Sequence, residues 1–221
     1  FGTTAAGITA AQLAQITMSG SQVKISNTGK ISVLLVAVST FNNAGGDNLW
    51  SNAANWSAGI PNVDTAKVTV DSDLIVDSSV TVGQIKISNA TSDASVTITA
   101  TNDAILTITG AGVTQPIQNN KKESSFIFNL PVVFDSDGET ETLRLNSGGD
   151  QQTTFSSSLT LNDPLTVSGV NKLHDLNLNG SLLGAGNLKF GSKVQANFGA
   201  SYDGSSHTGK IIVAGTGTNN D

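Results

Sequence analysis

The sequence predicts an all-β protein, and within that class a parallel β-helix, or solenoid. Three observations favour this fold: aliphatic residues recur at every other position, the segments that carry them are short, and Gly, Asn, Asp and Ser fill the gaps. Alternation places aliphatic side chains on one face of a strand and polar side chains on the other. The alternating aliphatic pairs are Val68 and Val70, Ile85 and Ile87, Val96 and Ile98, Leu106 and Ile108, Leu143 and Leu145, Leu159 and Leu161, and Leu176 and Leu178.

The outward positions of these segments favour a solenoid over other all-β folds. Ser, Thr and Asn occupy many of them, as expected where successive turns stack like side chains about 4.8 Å apart. Charged residues make up only 13% of the chain, so hydroxyl and amide groups supply most of its polarity. Because the segments do not share one fixed period, an antiparallel β-sandwich or jelly roll stays as the alternative fold.

The chain divides into three parts. Residues 1–40 predict an N-terminal arm, and residues 41–65 predict a capping segment rich in Trp, Asn and Gly. Residues 66–221 predict the solenoid-like region. A softer boundary is expected near 112–124, where the strand rhythm is interrupted.

The N-terminal arm contains a candidate for self-association. Residues 8–16 predict a short helix, Asn27–Gly29 predicts a hairpin turn, and Ile31–Val38 predicts a strand buried on both faces. Such a strand suits exchange between subunits, and pairing within its own chain is the alternative interpretation. The residues assigned to this assembly role are Ile31, Val33, Leu35 and Val38.

Composition and charge narrow the classes of function. The formal net charge is −6 and no basic stripe is visible along the sequence, so nucleic-acid binding is not expected. The chain has no cysteine, which excludes disulfides, thiolate zinc sites and cysteine nucleophiles. The longest apolar run, Ile31–Val38, is too short to span a bilayer, so membrane insertion is not expected.

A motif in the capping segment resembles a module of secreted bacterial repeat proteins. In those proteins Trp-x-x-x-x-Asn-Trp is followed by Gly-x-Pro, by Asp-x-Ala and by an aliphatic strand. The resemblance implies that the module opens a parallel β-helix. The matching residues here are Trp50, Asn55, Trp56, Gly59, Pro61, Asp64 and Ala66.

A second motif is similar to the passenger-associated strand repeat of autotransporters. That repeat runs Gly-x-Gly-x-Leu, Tyr-x-Gly, Thr-Gly, an aliphatic strand and Ala-Gly-Thr, and the spacing departs from it between Lys193 and Ala200. The resemblance implies a secreted or surface-exposed, passenger-like β-helical region. The matching residues are Gly184, Gly186, Leu188, Tyr202, Gly204, Thr208, Gly209, Ala214, Gly215 and Thr216.

The two tryptophans have two interpretations. Trp50 and Trp56 either cover the end of the β stack, with Pro61 fixing the turn, or form a platform on which a sugar ring stacks. Exposed, coplanar indoles would support the glycan-binding interpretation.

Residues suited to catalysis do not form a recognisable motif. His174 and His207 lack the spacing of a metal pair, and the Gly-x-Ser-x-Gly elbow is missing. Acid–base chemistry on a polysaccharide would need two carboxylates in a groove, with a cation such as Arg144 nearby. Arg144 is instead expected to form an ion pair with Glu141. The chain is therefore expected not to be an enzyme.

One acidic turn is a candidate calcium site. Asp135, Asp137 and Glu139 alternate around Gly138, and their hard oxygen ligands could hold Ca²⁺. A plain acidic surface turn is the alternative, and no other cofactor is expected.

Together these observations predict a non-enzymatic extracellular structural or adhesive surface protein. It is expected to self-associate as a subunit of a filament, sheath or virion appendage, with surface glycans as possible partners. The expected location is extracellular or the cell surface, with the virion as the alternative. The alternative function is a carbohydrate-binding or polysaccharide-degrading β-helix module.

Overall fold

The protein is an all-β solenoid of parallel strands. The computed structural model describes residues 17–18, 21–25, 31–33, 38–62, 65–68, 73–87, 95–110, 117–119, 125–136, 138, 140–145, 152–169 and 173–213. Within these ranges, a 3-10 turn at Ala53–Asn55 is the sole helical element.

Three β-sheets, here called A, B and C, form the walls of the solenoid. Sheet A contains β4 (Val38–Phe41), β5 (Thr65–Val68), β8 (Gln84–Ile87), β11 (Ile117–Asn119), β14 (Glu141–Leu145), β17 (Leu165–Gly169), β20 (Leu188–Phe190) and β22 (Ile211–Val213). Sheet B contains β6 (Leu74–Val76), β9 (Val96–Ala100), β12 (Ser125–Asn129), β15 (Gln152–Phe155), β18 (His174–Leu178) and β21 (Val194–Phe198). Sheet C contains β7 (Val80–Val82), β10 (Leu106–Ile108), β13 (Val132–Phe134), β16 (Leu159–Leu161) and β19 (Leu182–Leu183).

From β5 to β21 the chain visits the three sheets in the same order on each turn. β5, β6 and β7 make the first such turn, and the 6 strands of sheet B mark about as many turns in all. Every strand pair within the three sheets is parallel, for example β12 with β15 and β14 with β17. The solenoid prediction is therefore confirmed, and the alternative of an antiparallel sandwich or jelly roll is wrong.

The turns differ in length, which explains the lack of a fixed period in the sequence. A hydrogen bond between neighbouring turns joins Thr65 and Gln84, which are 19 positions apart. Another joins Ser136 and Asp163, which are 27 positions apart. Loops between strands absorb the difference, because the ladder constrains the strands and leaves the loop lengths free.

Aliphatic and aromatic side chains fill the interior in columns. Phe128 lies opposite Phe155, and their rings stack at 4.8 Å with an interplanar angle of 3°. This separation is about the spacing of neighbouring strands, so each turn places its side chain directly on the one before. The predicted aliphatic pairs lie in this core, apart from Val70, which falls outside the described residues.

The N-terminal arm forms a separate antiparallel sheet. Its strands are β1 (Thr17–Met18), β2 (Ser21–Ile25) and β3 (Ile31–Val33), and Ile25 pairs with Ile31. The antiparallel pairing expected on either side of the Asn27–Gly29 turn is confirmed. The predicted helix at 8–16 lies outside the described residues.

The single strand predicted over Ile31–Val38 is wrong. Ile31 and Val33 belong to the antiparallel sheet of the arm, whereas Val38 begins β4 of sheet A. Val38 is also 47% exposed, so its position is not buried on both faces. An apolar run carries no information about which sheet each of its parts joins, and that made the run look like one strand.

Candidate functional site at the two ends of the solenoid

The N-terminal end of sheet A is covered by the loop that follows β4. Ser57 N donates to Thr40 O at 2.9 Å, and Thr40 N donates to Ser57 Oγ at 2.9 Å. Asn42 N donates to Asn55 O, also at 2.9 Å. The outer edge of β4 therefore has hydrogen-bond partners from its own chain. We call residues 42–62 the cap.

Asp47 organises the interior of the cap. Its carboxylate accepts hydrogen bonds from Asn55 Nδ2 at 2.7 Å, Leu49 N at 3.1 Å and Asn52 Nδ2 at 2.8 Å. These donors, with Asn55 first, lower the pKa of Asp47 below its ordinary value because they favour the charged form. Asn55 is fully buried and also donates to Leu49 O at 2.9 Å, so it links the carboxylate to the backbone.

The cap also closes the first strand of sheet B. Trp50 N donates to Ile75 O at 2.8 Å, and Ile75 N donates to Asn48 O at 2.9 Å. The Asp77 carboxylate accepts from Ser51 N at 3.1 Å and from Ser51 Oγ at 2.5 Å. Partial burial raises the pKa of Asp77, but the two Ser51 hydrogen bonds outweigh it and the net shift is downward.

Both tryptophans lie inside the cap. Trp50 is 0% exposed and Trp56 is 5% exposed, with ring centroids 4.8 Å apart at an interplanar angle of 59°. Trp56 Nε1 donates to Trp50 O at 2.8 Å, and its ring packs edge-on against Phe41. A sugar needs an exposed ring face, so the glycan-binding prediction for Trp50 and Trp56 is wrong in this fold. Their burial supports the capping interpretation. Pro61, five positions after Trp56, is also buried.

The C-terminal end exposes the last member of one inward column of sheet B and of two columns of sheet A, whereas Leu182, the last inward residue of sheet C, is 1% exposed. In one inward column of sheet B, the five residues that run from Leu74 to Leu178 are at most 2% exposed, but the next residue, Phe198 in β21, is 46% exposed. In sheet A, Phe190 is 4% exposed and Val213, stacked next in β22, is 77% exposed. The sheet B column consists of Leu74, Ile98, Phe128, Phe155, Leu178 and Phe198.

A second column of sheet A behaves in the same way. Leu188 is 0% exposed and Ile211, its register partner in β22, is 43% exposed. Tyr202 covers part of Phe198, with ring centroids 4.7 Å apart. The inward faces of β21 and β22 therefore expose apolar side chains at this end, which we call the open end. It consists of Phe198, Ile211 and Val213.

A polar ladder on the outside of sheet B also runs to the open end. Asn177 Nδ2 donates to Thr154 Oγ1 at 3.1 Å, and Asn197 Nδ2 donates to Asn177 Oδ1 at 2.9 Å. Each side chain donates to the preceding turn and leaves its own oxygen for the next one. At β21, Asn197 Oδ1 accepts from its neighbour Gln195 at 3.3 Å.

Of the three predicted calcium ligands, the structure describes one, Asp135. Asp137 and Glu139 lie outside the described residues, and Asp135 is exposed, with Oδ2 accepting from Asn162 Nδ2 at 3.3 Å. Across the described part of the chain, three or more acidic or histidine side chains do not gather in an arrangement suited to a metal ion. The calcium site stays a prediction.

The other candidate side chains lie apart. Glu141 is 4% exposed and faces inward from β14, whereas Arg144 lies on the outward face of the same strand. The expected ion pair between them is wrong, because residues three apart on a strand point to opposite faces. His174 is buried in β18, and His207 bridges to Gly184 near the open end.

The predicted assembly residues are divided between two sheets. Ile31 and Val33 pair with β2 of their own chain, which is the alternative interpretation of this segment. Leu35 lies outside the described residues, and Val38 starts sheet A. Sequence reasoning did not identify Phe198, Ile211 and Val213, because a strand at the end of a stack has the same alternation as one in its middle.

No protein-family model, curated protein or solved structure matches this chain. Among the described residues, no helix has the length and apolar character needed to cross a membrane.

Proposed function

We propose that the protein is a non-enzymatic extracellular structural or adhesive protein that self-associates through its open end. The cell surface is the proposed location, with the virion as the alternative. The observation that carries the proposal is the sharp rise in exposure at the last turn, from 2% at Leu178 to 46% at Phe198 and from 4% at Phe190 to 77% at Val213. A rigid stack with one uncovered apolar end suits association with a second copy of the same chain.

The backbone at the open end supports the same proposal. Among the described residues, β21 and β22 are the last strands of sheets B and A, so each has one edge to which the described part of the chain adds no further strand. Strand edges of this kind pair with other chains unless something protects them. Association would bury the exposed apolar side chains and the unpaired edges together.

The geometry of the cap determines which ends meet. The outer edges of β4 and β6 are already hydrogen-bonded to the cap, so the N-terminal end does not offer sheets A and B a free edge. We therefore propose that the open ends of two copies meet about a two-fold axis. Such a contact uses the same surface on both copies and closes on itself as a dimer.

Light scattering coupled to size-exclusion chromatography, over a range of protein concentrations, tests this proposal. The parent is expected to be a dimer, and Ile211→Lys is expected to be a monomer, because it places a charge in the buried contact. Ile105→Lys is the matched control. Ile105 is 37% exposed against 43% for Ile211, and it lies just before β10 in the middle of the solenoid. The control is expected to remain a dimer.

Two results would overturn the proposal. One is a parent that stays monomeric at every concentration. The other is a dimer that Ile211→Lys leaves intact while Ile105→Lys dissociates it. If the parent is monomeric and removal of residues 214–221 makes it dimerise, those residues cover the open end in the parent.

A further inference from the structure

The outward face of sheet A gathers the strand-borne positive charges of the three solenoid sheets. Its strands carry Lys67, Lys86, Arg144 and Lys189, whereas the strands of sheets B and C carry no Lys or Arg. The one carboxylate on a strand of sheet A is Glu141, which faces inward and is 4% exposed. The outward strand positions of sheet A are therefore cationic, although the whole chain has a formal net charge of −6.

The register aligns three of these cations in one column. Lys67 in β5 lies opposite Lys86 in β8. Lys86 lies opposite Gln118 in β11, and Gln118 lies opposite Arg144 in β14. Lys189 lies in the neighbouring column, opposite Thr166. With strands about 4.8 Å apart, the five strand spacings from Lys67 to Lys189 cover about 24 Å.

The alignment of Lys67 and Lys86 is unfavourable without a partner. Like charges directly opposite one another destabilise a sheet. Within the described part of the chain, neither lysine has a salt bridge or side-chain hydrogen bond, and both are partly exposed. The face therefore keeps a repulsive pair available for a negatively charged ligand.

We propose that this face binds a linear acidic polysaccharide, which deepens the adhesive part of the proposed function. A line of cations suits a polymer whose carboxylate or sulfate groups repeat along an extended chain, since each cation meets a different group. Hydroxyl and amide groups of Thr40, Gln84, Thr142 and Ser168 occupy other outward positions of the sheet and suit sugar hydroxyls. The outward strand positions carry no aromatic side chain on which a nucleic-acid base could stack.

Binding to immobilised heparin and polygalacturonate, with uncharged dextran as the negative probe, tests the inference. The parent is expected to bind both acidic polymers, and more weakly as salt rises, because salt screens exposed charges. Lys67→Gln combined with Lys86→Gln is expected to weaken binding about tenfold, the usual combined effect of two exposed ionic contacts.

The matched control is Lys210→Gln, which also removes an exposed positive charge but lies outside the strands of sheet A. It is expected to change binding less than twofold, because it removes a single charge and leaves the Lys67–Lys86 pair in place. The double variant is expected to keep the thermal midpoint of the parent or to raise it, because it relieves repulsion. A lower midpoint with unchanged binding would show that the lysines serve the fold and would overturn the inference.

Other ligands are further outcomes of the same experiment. Tighter binding to single-stranded DNA or to vesicles of anionic lipid than to either polysaccharide would overturn the polysaccharide assignment. Binding to none of the acidic probes would overturn it as well. Because Ile211→Lys tests the open end and leaves Lys67 and Lys86 in place, failure here is distinguishable from failure of the proposed self-association.

Discussion

The two ends of the solenoid differ in how the last layer of backbone is covered. At the N-terminal end the cap hydrogen-bonds to β4 and β6, and Phe41 is 0% exposed. At the C-terminal end Phe198 is 46% exposed although it also closes an inward column. A stack of parallel strands therefore does not end by itself, because each layer offers a template for another.

The cap ends the stack mainly with polar chemistry. Asp47 and Asn55 fix the loop, and the backbone N–H and side-chain hydroxyl of Ser57 satisfy the edge of β4 at Thr40. The tryptophans then fill the space above the first apolar layer. A polar loop with a buried aromatic centre therefore supplies both requirements of an end, hydrogen bonds for the edge and cover for the core.

The largest expected effect on stability comes from removing a phenylalanine ring at each end in turn. Phe41→Ala is expected to cost about 3 to 5 kcal/mol of unfolding free energy, as for other buried aromatic residues. Phe198→Ala is expected to cost about 1 kcal/mol, because about half of that ring is already in water. Denaturant unfolding of both variants, in the monomeric Ile211→Lys background, measures the difference.

Intrinsic fluorescence adds a readout for the N-terminal end alone. The chain has two tryptophans, and both lie in the cap, so a red shift in emission reports its opening. Phe41→Ala is expected to produce this shift before global unfolding, and Phe198→Ala is not. Equal free-energy losses for the two variants would contradict the difference in cover between the ends.

A smaller loss of stability is expected from alanine substitutions at two glycines with positive φ, and the loss differs between them. Gly184 has φ of 91°, and a Cβ there would lie 2.2 Å from the backbone oxygen of Leu161. Gly46 in the cap has φ of 75° and open space around it. Gly184→Ala is expected to cost about 3 kcal/mol or more, and Gly46→Ala about 1 kcal/mol. Thermal unfolding checks the order, and a larger loss for Gly46→Ala would contradict it.

Local alternation was enough to predict the fold. Ile85 and Ile87, and Leu143 and Leu145, are buried as their spacing indicates, because the two faces of a strand depend on adjacent residues alone. The exposure of Ile211 and Val213 was not predictable in this way. Burial at those positions depends on whether another turn is stacked beyond them, and the strand itself carries no sign of that.

The cationic column was missed for a related reason. Lys86 and Arg144 are far apart in the sequence, and turns of unequal length prevent their alignment from being read by counting. The sequence also left two interpretations of Trp56 open, as part of the cap or as a platform for a sugar ring. Its motif indicated where the solenoid begins, but only its burial decides what the ring contacts.

The smallest expected effect compares the two ends by pH. Hydrogen bonds lower the pKa of Asp47 in the cap, with Asn55 as the largest cause, and that of Asp203 near the open end, with Ser205 N as the largest cause. A lowered folded-state pKa stabilises the protein above the ordinary value of 3.8, and this contribution is lost as pH falls below it. The thermal midpoint of the parent is therefore expected to fall on acidification from about pH 5 to about pH 2.5.

Asn substitutions assign this loss to an end. Asp47→Asn is expected to lower the midpoint at neutral pH and to flatten the acid dependence, because the amide keeps one acceptor oxygen where the carboxylate accepts from three donors. Asp203→Asn is expected to change both less, since that carboxylate accepts mainly from Ser205. Asp77, whose pKa is also lowered, remains in both variants and leaves part of the slope. If Asp203→Asn flattened the profile more than Asp47→Asn, the acid-sensitive end would be the open one, and the cap would not be the part of the fold that ionised Asp47 stabilises.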